Sequence, residues 1–409
     1  MKPVDFQIPS DLVGVRAEAL RRWKTNGWPD SREESWRFTR LNDLQKLEFA
    51  NTDRGVVANT SSIDKTPNGM SDECIVLKFH NGILDQATLR KLPIGVSASQ
   101  LDANENLLVD VEKISPTAHP ISNLSLAMMN SGLHLEIAGK IDNPLMLLFS
   151  GDDPNTSAHP VVSIRLQERA SATLTEWHQS DVGLSAPLVT IDIADNGQLD
   201  YAKVQHDSSR STHLSATGIR LANRSVFNGN QISVGSRLTR LETHVNLDGE
   251  KIDCNLSAIY LGRREQHHDI TTNMVHSKGH CNSNQIIRGV LDDDAHGVFQ
   301  GKVHVAPDAQ KTDGNQMSRA LLLSRKAEAN AKPELEIFAD DVICAHGATV
   351  GELDDNQLFY MTSRGIKPEV ARAMLINAFL NDVIDCISND HISAVLRPVV
   401  KNWMISGGD

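Results

Sequence analysis

Two residues near the C-terminal end, Cys344 and His346, have the types and spacing that hold metals. Residues two apart in a strand share a face, so both would stand with Val342 while Ile343 and Ala345 point the other way. A thiolate and an imidazole on one face can converge on a metal or on a cluster held by a partner. A second group gathers further upstream: His267-His268-Asp269, His276, His280 and His304, near Cys281. His276 and His280 are four apart, which would suit a zinc pair on a helix, but the segment does not read as a helix. Polar side chains satisfied along a strand face are the preferred reading there.

Other chemistries find little support. Gly297-Val298-Phe299-Gln300-Gly301-Lys302 is one residue short of a phosphate-binding loop, and Val303 stands where Ser or Thr should meet magnesium. No nucleotide bound by this chain is therefore expected. No nucleophile elbow appears, and Asp292-Asp293-Asp294 reads as a solvated turn. The net charge of −12 argues against a general nucleic-acid binder. Cys74, Cys254, Cys281, Cys344 and Cys386 are scattered, without Cys-x-x-Cys. That pattern reads as reduced thiols and gives no permanent four-cysteine cluster in this chain. The opening M-K-P-V-D-F-Q-I-P-S has no signal-peptide core, and no apolar run approaches ~20 residues. A cytoplasmic protein without a membrane partner is expected.

The elements that must position Cys344 and His346 follow from texture. Leu335–Phe338 and Val342–Ala345 are two apolar runs around the turn-forming Asp340-Asp341, and Gly347 and Gly351 are expected to end the pattern. Asp354 or Asp355 would cap a helix to Arg364, stopped at Gly365. From Gly132 to about Val305 short strands follow one another, with alternation plain in Ala172–Trp177. Aromatics are only 4%, which suits stacked layers of small aliphatic residues better than a ring-filled sandwich.

Helices are expected at both ends. Ser10 or Asp11 would cap the first, with Leu12, Val13, Ala17, Leu20 and Trp23 as its buried stripe and Asn26-Gly27 as its end. Ser35–Thr39 reads as a loop anchored by two aromatics, and residues 51–70 as a linker. Cys74–Phe79 reads as a strand with a turn at His80-Asn81-Gly82; Leu92–Leu107 is ambiguous, and Ser115–Ser131 leans helical. Pro368 opens a helix with Ala371, Leu375, Phe379, Val383 and Ile387 on one stripe. Asn389 or Asp390 starts a last helix, which Pro398 would kink or interrupt.

The stretch A-D-D-V-I-C-A-H-G-A-T-V-G-E-L, followed by L-F-Y-M-T-S-R-G-I, resembles the SufD branch of the SufB/SufD family of iron–sulfur cluster assembly scaffolds. In the SufB branch a glutamate typically follows the equivalent histidine, and here Gly347 does. Glu34-Ser35-Trp36-Arg37-Phe38-Thr39 is similar to a segment near the start of those proteins. The resemblance implies a mainly β fold: a right-handed β-helix core (residues 132–350) between helical regions at 1–131 and 351–409. It implies a non-catalytic subunit that pairs with a SufB-like partner and binds a SufC-like ATPase through its C-terminal helices, with Tyr360, Arg364 and Phe379 as candidate contacts. It places His346 at the SufB interface, beside a transient cluster or iron, with Cys344 the weaker candidate. Flavin binding and a homodimer of the lone chain stay open. A β-helical enzyme acting on polysaccharide, or through a metal on His267, His268 and His276, is the alternative.

Overall fold

From Thr212 the chain repeats one pattern: a long strand, a tight corner, a second long strand, another corner. The computed structural model describes residues 12–51, 67, 70–101, 104–116 and 119–405. Successive strands go alternately to two sheets, and each pairs in parallel with the strand one rung earlier. Val226 lies opposite Asp253 and Asp253 opposite Asn282, so one rung is 27 residues and the next 29. The result is a β-helix of two facing parallel sheets, with helices at either end of the chain.

Alternation decides what fills it. His268, Ile270, Thr272, Met274 and His276 face the lumen, while their neighbours face outward. Luminal leucines, valines and isoleucines from Leu77 to Val305 form one long buried core. The corners carry single residues in the left-handed region, including Arg224 (φ 54°), Lys251 (57°), Arg264 (54°), His280 (60°) and Lys311 (60°).

The expected strands between Gly132 and Val305 are present, and they continue beyond it. Asp313–Leu322, Glu328–Ile337 and Ile343–Glu352 add to the solenoid. Gly347 and Gly351 do not end the last strand, because the ladder carries the chain through them: Gly347 pairs with Met317 and Gly351 with Leu321. Asn81 (φ 49°) and Gly82 (φ 80°) form the expected turn, which returns Ile83–Leu84 antiparallel to Phe79 and His80. The ambiguous Leu92–Leu107 resolves into a strand, Val96–Gln100, and the start of a helix.

Three helices cover the outer face of the first sheet: α1 (Gly14–Asn26), α2 (Glu105–Ile114) and α3 (Pro120–Met128). Ser10, Asp11 and most of residues 51–70 lie outside the described residues. Val13 is the cap of α1, and its buried stripe is Val15, Ala19 and Trp23; Val13 itself is exposed. Ser35–Thr39 is an anchored loop. Trp36 is buried under the Arg240 guanidinium, 4.1 Å from its ring, and Arg240 is held by Glu242 and Asp269.

At the other end of the chain come α4 (Asp355–Ser363), α5 (Pro368–Ile384) and α6 (Asp390–Ile405). The Asp354 carboxylate accepts from the Asn356 and Gln357 amides, and Gly365 (φ 89°) follows the helix end, as expected. The face α5 buries is Ala371, Ile376, Leu380, Val383 and Ile384; of the expected every-fourth stripe Ala371 and Val383 are buried, while Leu375, Phe379 and Ile387 are only half-buried. At 3.6 residues per turn a repeat of four drifts around the helix. This face and α6 pack on the outer side of the second sheet, against Val204, Ile232, Ile259 and Val290. Pro398 sits inside α6 without ending it.

Candidate functional site

The last rung is unlike every rung before it. Its strands, Glu328–Ile337 and Ile343–Glu352, contain no buried residue, and each is the edge of its sheet. Ile337, Phe338, Ile343 (70% exposed) and Val350 face solvent there. The two edges differ from each other. The Glu328 and Phe338 amides both donate to the rung beneath, so alternation turns the position of Pro333 outward. Proline has no N–H, so the middle of that edge is blunted. On the other edge the Ile343 amide donates inward to Thr312. Alternation then leaves Cys344, His346, Ala348 and Val350 with outward N–H groups.

Cys344 and His346 do share a face, and that face is the lumen. Cys344 continues a column of Cys254, Ser283 and Gly314, and packs against the luminal core. A Cβ on Gly314 would lie 3.3 Å from the Cys344 sulfur. Burial pushes the Cys344 thiol up, so it is protonated and poorly nucleophilic. His346, one step along the strand face, is exposed at the open end.

Beneath His346 runs a polar column. Gln316 and then Gln285 lie below it in register. Across the lumen stand Thr217, Thr243, Thr272 and then Gly301. Thr272 donates to the Gln285 carbonyl (2.7 Å). From the next luminal position along the same sheet, in register with Ile287 and not with Gln285, the Gln231 amide donates to Thr243 (2.8 Å) and the Lys203 ammonium donates to Thr217 (2.8 Å). Lys203 also pairs with Glu176 at 3.1 Å. Burial alone would raise the Glu176 carboxyl, but Lys203, His178 and Tyr201 hold it down at about 2. The column separates the long luminal core from a second apolar cluster around Tyr260, Ile287 and Phe299.

Residues 149–379, more than half of the 409-residue chain, match the family described as SUF system FeS cluster assembly, SufBD core domain. The chain belongs to the SufBD family. It is similar to the iron–sulfur cluster assembly protein SufD of Escherichia coli, at 28% identity over 91% of this chain and 88% of that protein. It is also similar to SufD of Bacillus subtilis, 25% identical over 97% of this chain and 94% of the relative. The chloroplastic protein ABCI7 of Arabidopsis thaliana is 26% identical, with 96% and 86% covered.

In this SufBD chain the upstream histidines do not converge. His267 faces outward to Thr39 (3.0 Å), whereas His268 faces the lumen and Ser233 (2.7 Å). His276 meets Ser283 inside, His280 occupies a corner, and His304 contacts Glu336 outside. Burial lowers His268 to about 3 and His276 to about 4, so both are neutral core groups. Among the described residues no three His, Cys, Asp or Glu side chains gather as a metal site. The alternative of a metal centre on His267, His268 and His276 fails, because His267 faces outward while His268 and His276 face the lumen. The string Gly297–Lys302 lies within the strand His296–Val305.

Tyr360 and Arg364 stand exposed on or beside α4, the guanidinium 5.2 Å from the ring, and α4 has no buried residue. Phe379 is half-buried, packed on the second sheet's outer cluster with Arg288 over its ring. Among the described residues no helix is long and apolar enough to cross a membrane. Sequence reasoning missed Gln316, because its place under His346 depends on a rung length that only the fold reveals.

Proposed function

We propose that this chain is a non-catalytic scaffold subunit for iron–sulfur cluster assembly that docks a SufB-like partner on its open last rung. One observation carries this reading: both sheets end there uncovered, with Ile337, Phe338, Ile343 and Val350 exposed around His346. Such an edge continues into another chain by adding strands, and the apolar rim gains by leaving water. In the absence of that partner a second copy of this chain can take the same edge.

His346 then lies at the seam, where a neutral imidazole can ligate iron of a forming cluster. The cluster is cargo, and its remaining ligands come from the partner. Cys344 supports the position from beneath, half-buried against the luminal core. A SufC-like ATPase docks on the exposed side of α4 and α5, through Tyr360, Arg364 and the solvent edge of Phe379, with Val370 and Met374 beside them. Its nucleotide cycle shifts the seam by binding two arrangements with different affinity. The complex works in the cytoplasm.

The test is the iron and sulfide content of the co-expressed three-subunit complex. His346→Ala should lose cluster while the thermal midpoint of the isolated chain holds. Cys344→Ala should be milder. Full cluster content in the His346 variant removes that residue from the reading.

A further inference from the structure

The luminal glutamines that face the threonine column are not equivalent. Gln231 uses its amide nitrogen and leaves its oxygen without a partner; Gln285 uses its oxygen and leaves its nitrogen. Gln316, 2% exposed, has no partner for either atom. Buried amides are nearly always paired, so a wholly unpaired one one rung below an open end calls for a partner that arrives later. The place of the amide itself is built in. A Cβ on the facing Gly301 would come within 2.1 Å of the Gln316 amide nitrogen, so only glycine leaves the amide its place.

His346 is the next side chain up the same luminal column, on the strand paired directly with that of Gln316. Paired strands lie about 4.8 Å apart, within a glutamine's reach of an imidazole. A histidine that ligates metal through one ring nitrogen normally donates from the other to a carbonyl or carboxylate, which fixes its tautomer and its aim. Among the described residues no acceptor meets the His346 ring, and its own column offers one.

We propose that Gln316 is the positioning residue for His346: its side-chain carbonyl accepts the N–H of the non-ligating ring nitrogen once the partner closes the lumen. This rests on His346 being a ligand, as argued above. Gln316 touches neither iron nor sulfide. It holds the imidazole in one tautomer, turned toward the seam.

The experiment compares His346→Ala, Gln316→Met, Gln316→Glu and the double variant Gln316→Met/His346→Ala in the co-expressed three-subunit complex. Cluster retention, and the nitrogen hyperfine coupling of the reduced cluster by electron–nuclear double resonance, are read beside the thermal midpoint of the isolated chain. Methionine keeps the length and loses the acceptor. It should weaken cluster retention about 10- to 100-fold and change the coupling, without lowering the midpoint. Glutamate keeps an acceptor and should restore both. The double variant should be no worse than His346→Ala alone. Normal retention and coupling in Gln316→Met, while His346→Ala still loses cluster, overturns the role of Gln316 and leaves the ligand standing. Normal retention in His346→Ala overturns the ligand, and Gln316 with it. An undiminished Gln316→Met loss on top of His346→Ala places the glutamine's effect elsewhere and overturns the proposal.

Discussion

The β-helix finishes its two ends in opposite ways. At the first end each sheet closes on a strand that runs backward: Val96–Gln100 against Gly132–Ile137, and Ile83–Leu84 against Phe79 and His80. Leu77, Leu84, Leu133 and Leu135 are buried there. At the last end both sheets stop on full-length parallel strands with no buried residue. An uncovered edge is a site of pairing or of aggregation, and folds usually cover or blunt it. This chain covers one end with its own residues, blunts one of the two remaining edges with Pro333, and leaves Ile343–Glu352 unblunted. The molecule thus keeps its folding problem and its assembly problem at opposite ends.

The contrast is sharpest in a pair of truncations. Leu135→Ala, at the closed end, should cost about 2–5 kcal/mol. Ile343→Ala, at the open end, should stay within about 0.5 kcal/mol yet weaken partner binding. Urea midpoints and a pull-down read both. Equal costs would show that the last rung is as much core as the first.

Much of this division was legible in the sequence. Alternation in Ala172–Trp177 gave the strands, Asp354 and Gly365 bounded α4, and the two-residue spacing placed Cys344 and His346 on one face. The repeat itself was not legible. Its corners take the left-handed conformation at Arg224, Lys251, Arg264 and Lys311, where glycine or asparagine would have announced a turn. Rung lengths that vary between neighbours hide the period further, so the stacking of His346 on Gln316 could not be read. Gly347 and Gly351 misled in the other direction, since a ladder bond holds an edge glycine as well as any residue.

Acid should act on the covered rungs. Burial lowers His268 to about 3 from an ordinary 6.5. Between those values the unfolded chain binds a proton that the folded chain refuses, so stability falls as pH drops from about 6.5 toward 3, by up to about 1.4 kcal/mol per pH unit. His268→Gln should flatten the curve of urea midpoint against pH by that one proton. An unchanged slope would mean that His268 is not held neutral inside.

A smaller effect tests the two open edges against each other. Ala348→Pro gives the second edge the defect Pro333 gives the first, removing an outward N–H and no ladder bond. The isolated chain should lose about 1 kcal/mol or less, while affinity for the SufB-like partner, measured by titration calorimetry, falls severalfold. Unchanged affinity would place the partner on the other edge or off the rung.

The central claim is that the last rung is open because another chain closes it, and amide hydrogen exchange reads that at single strands. In the isolated chain the outward amides of Cys344, His346, Ala348 and Val350 should exchange fast, while Gly132–Ile137 at the closed end exchanges slowly. On adding the SufB-like partner, the Ile343–Glu352 amides should slow at least tenfold and the closed end should not change. Protection that appears on the helices or the first rung, with Ile343–Glu352 still exchanging fast, would contradict the account.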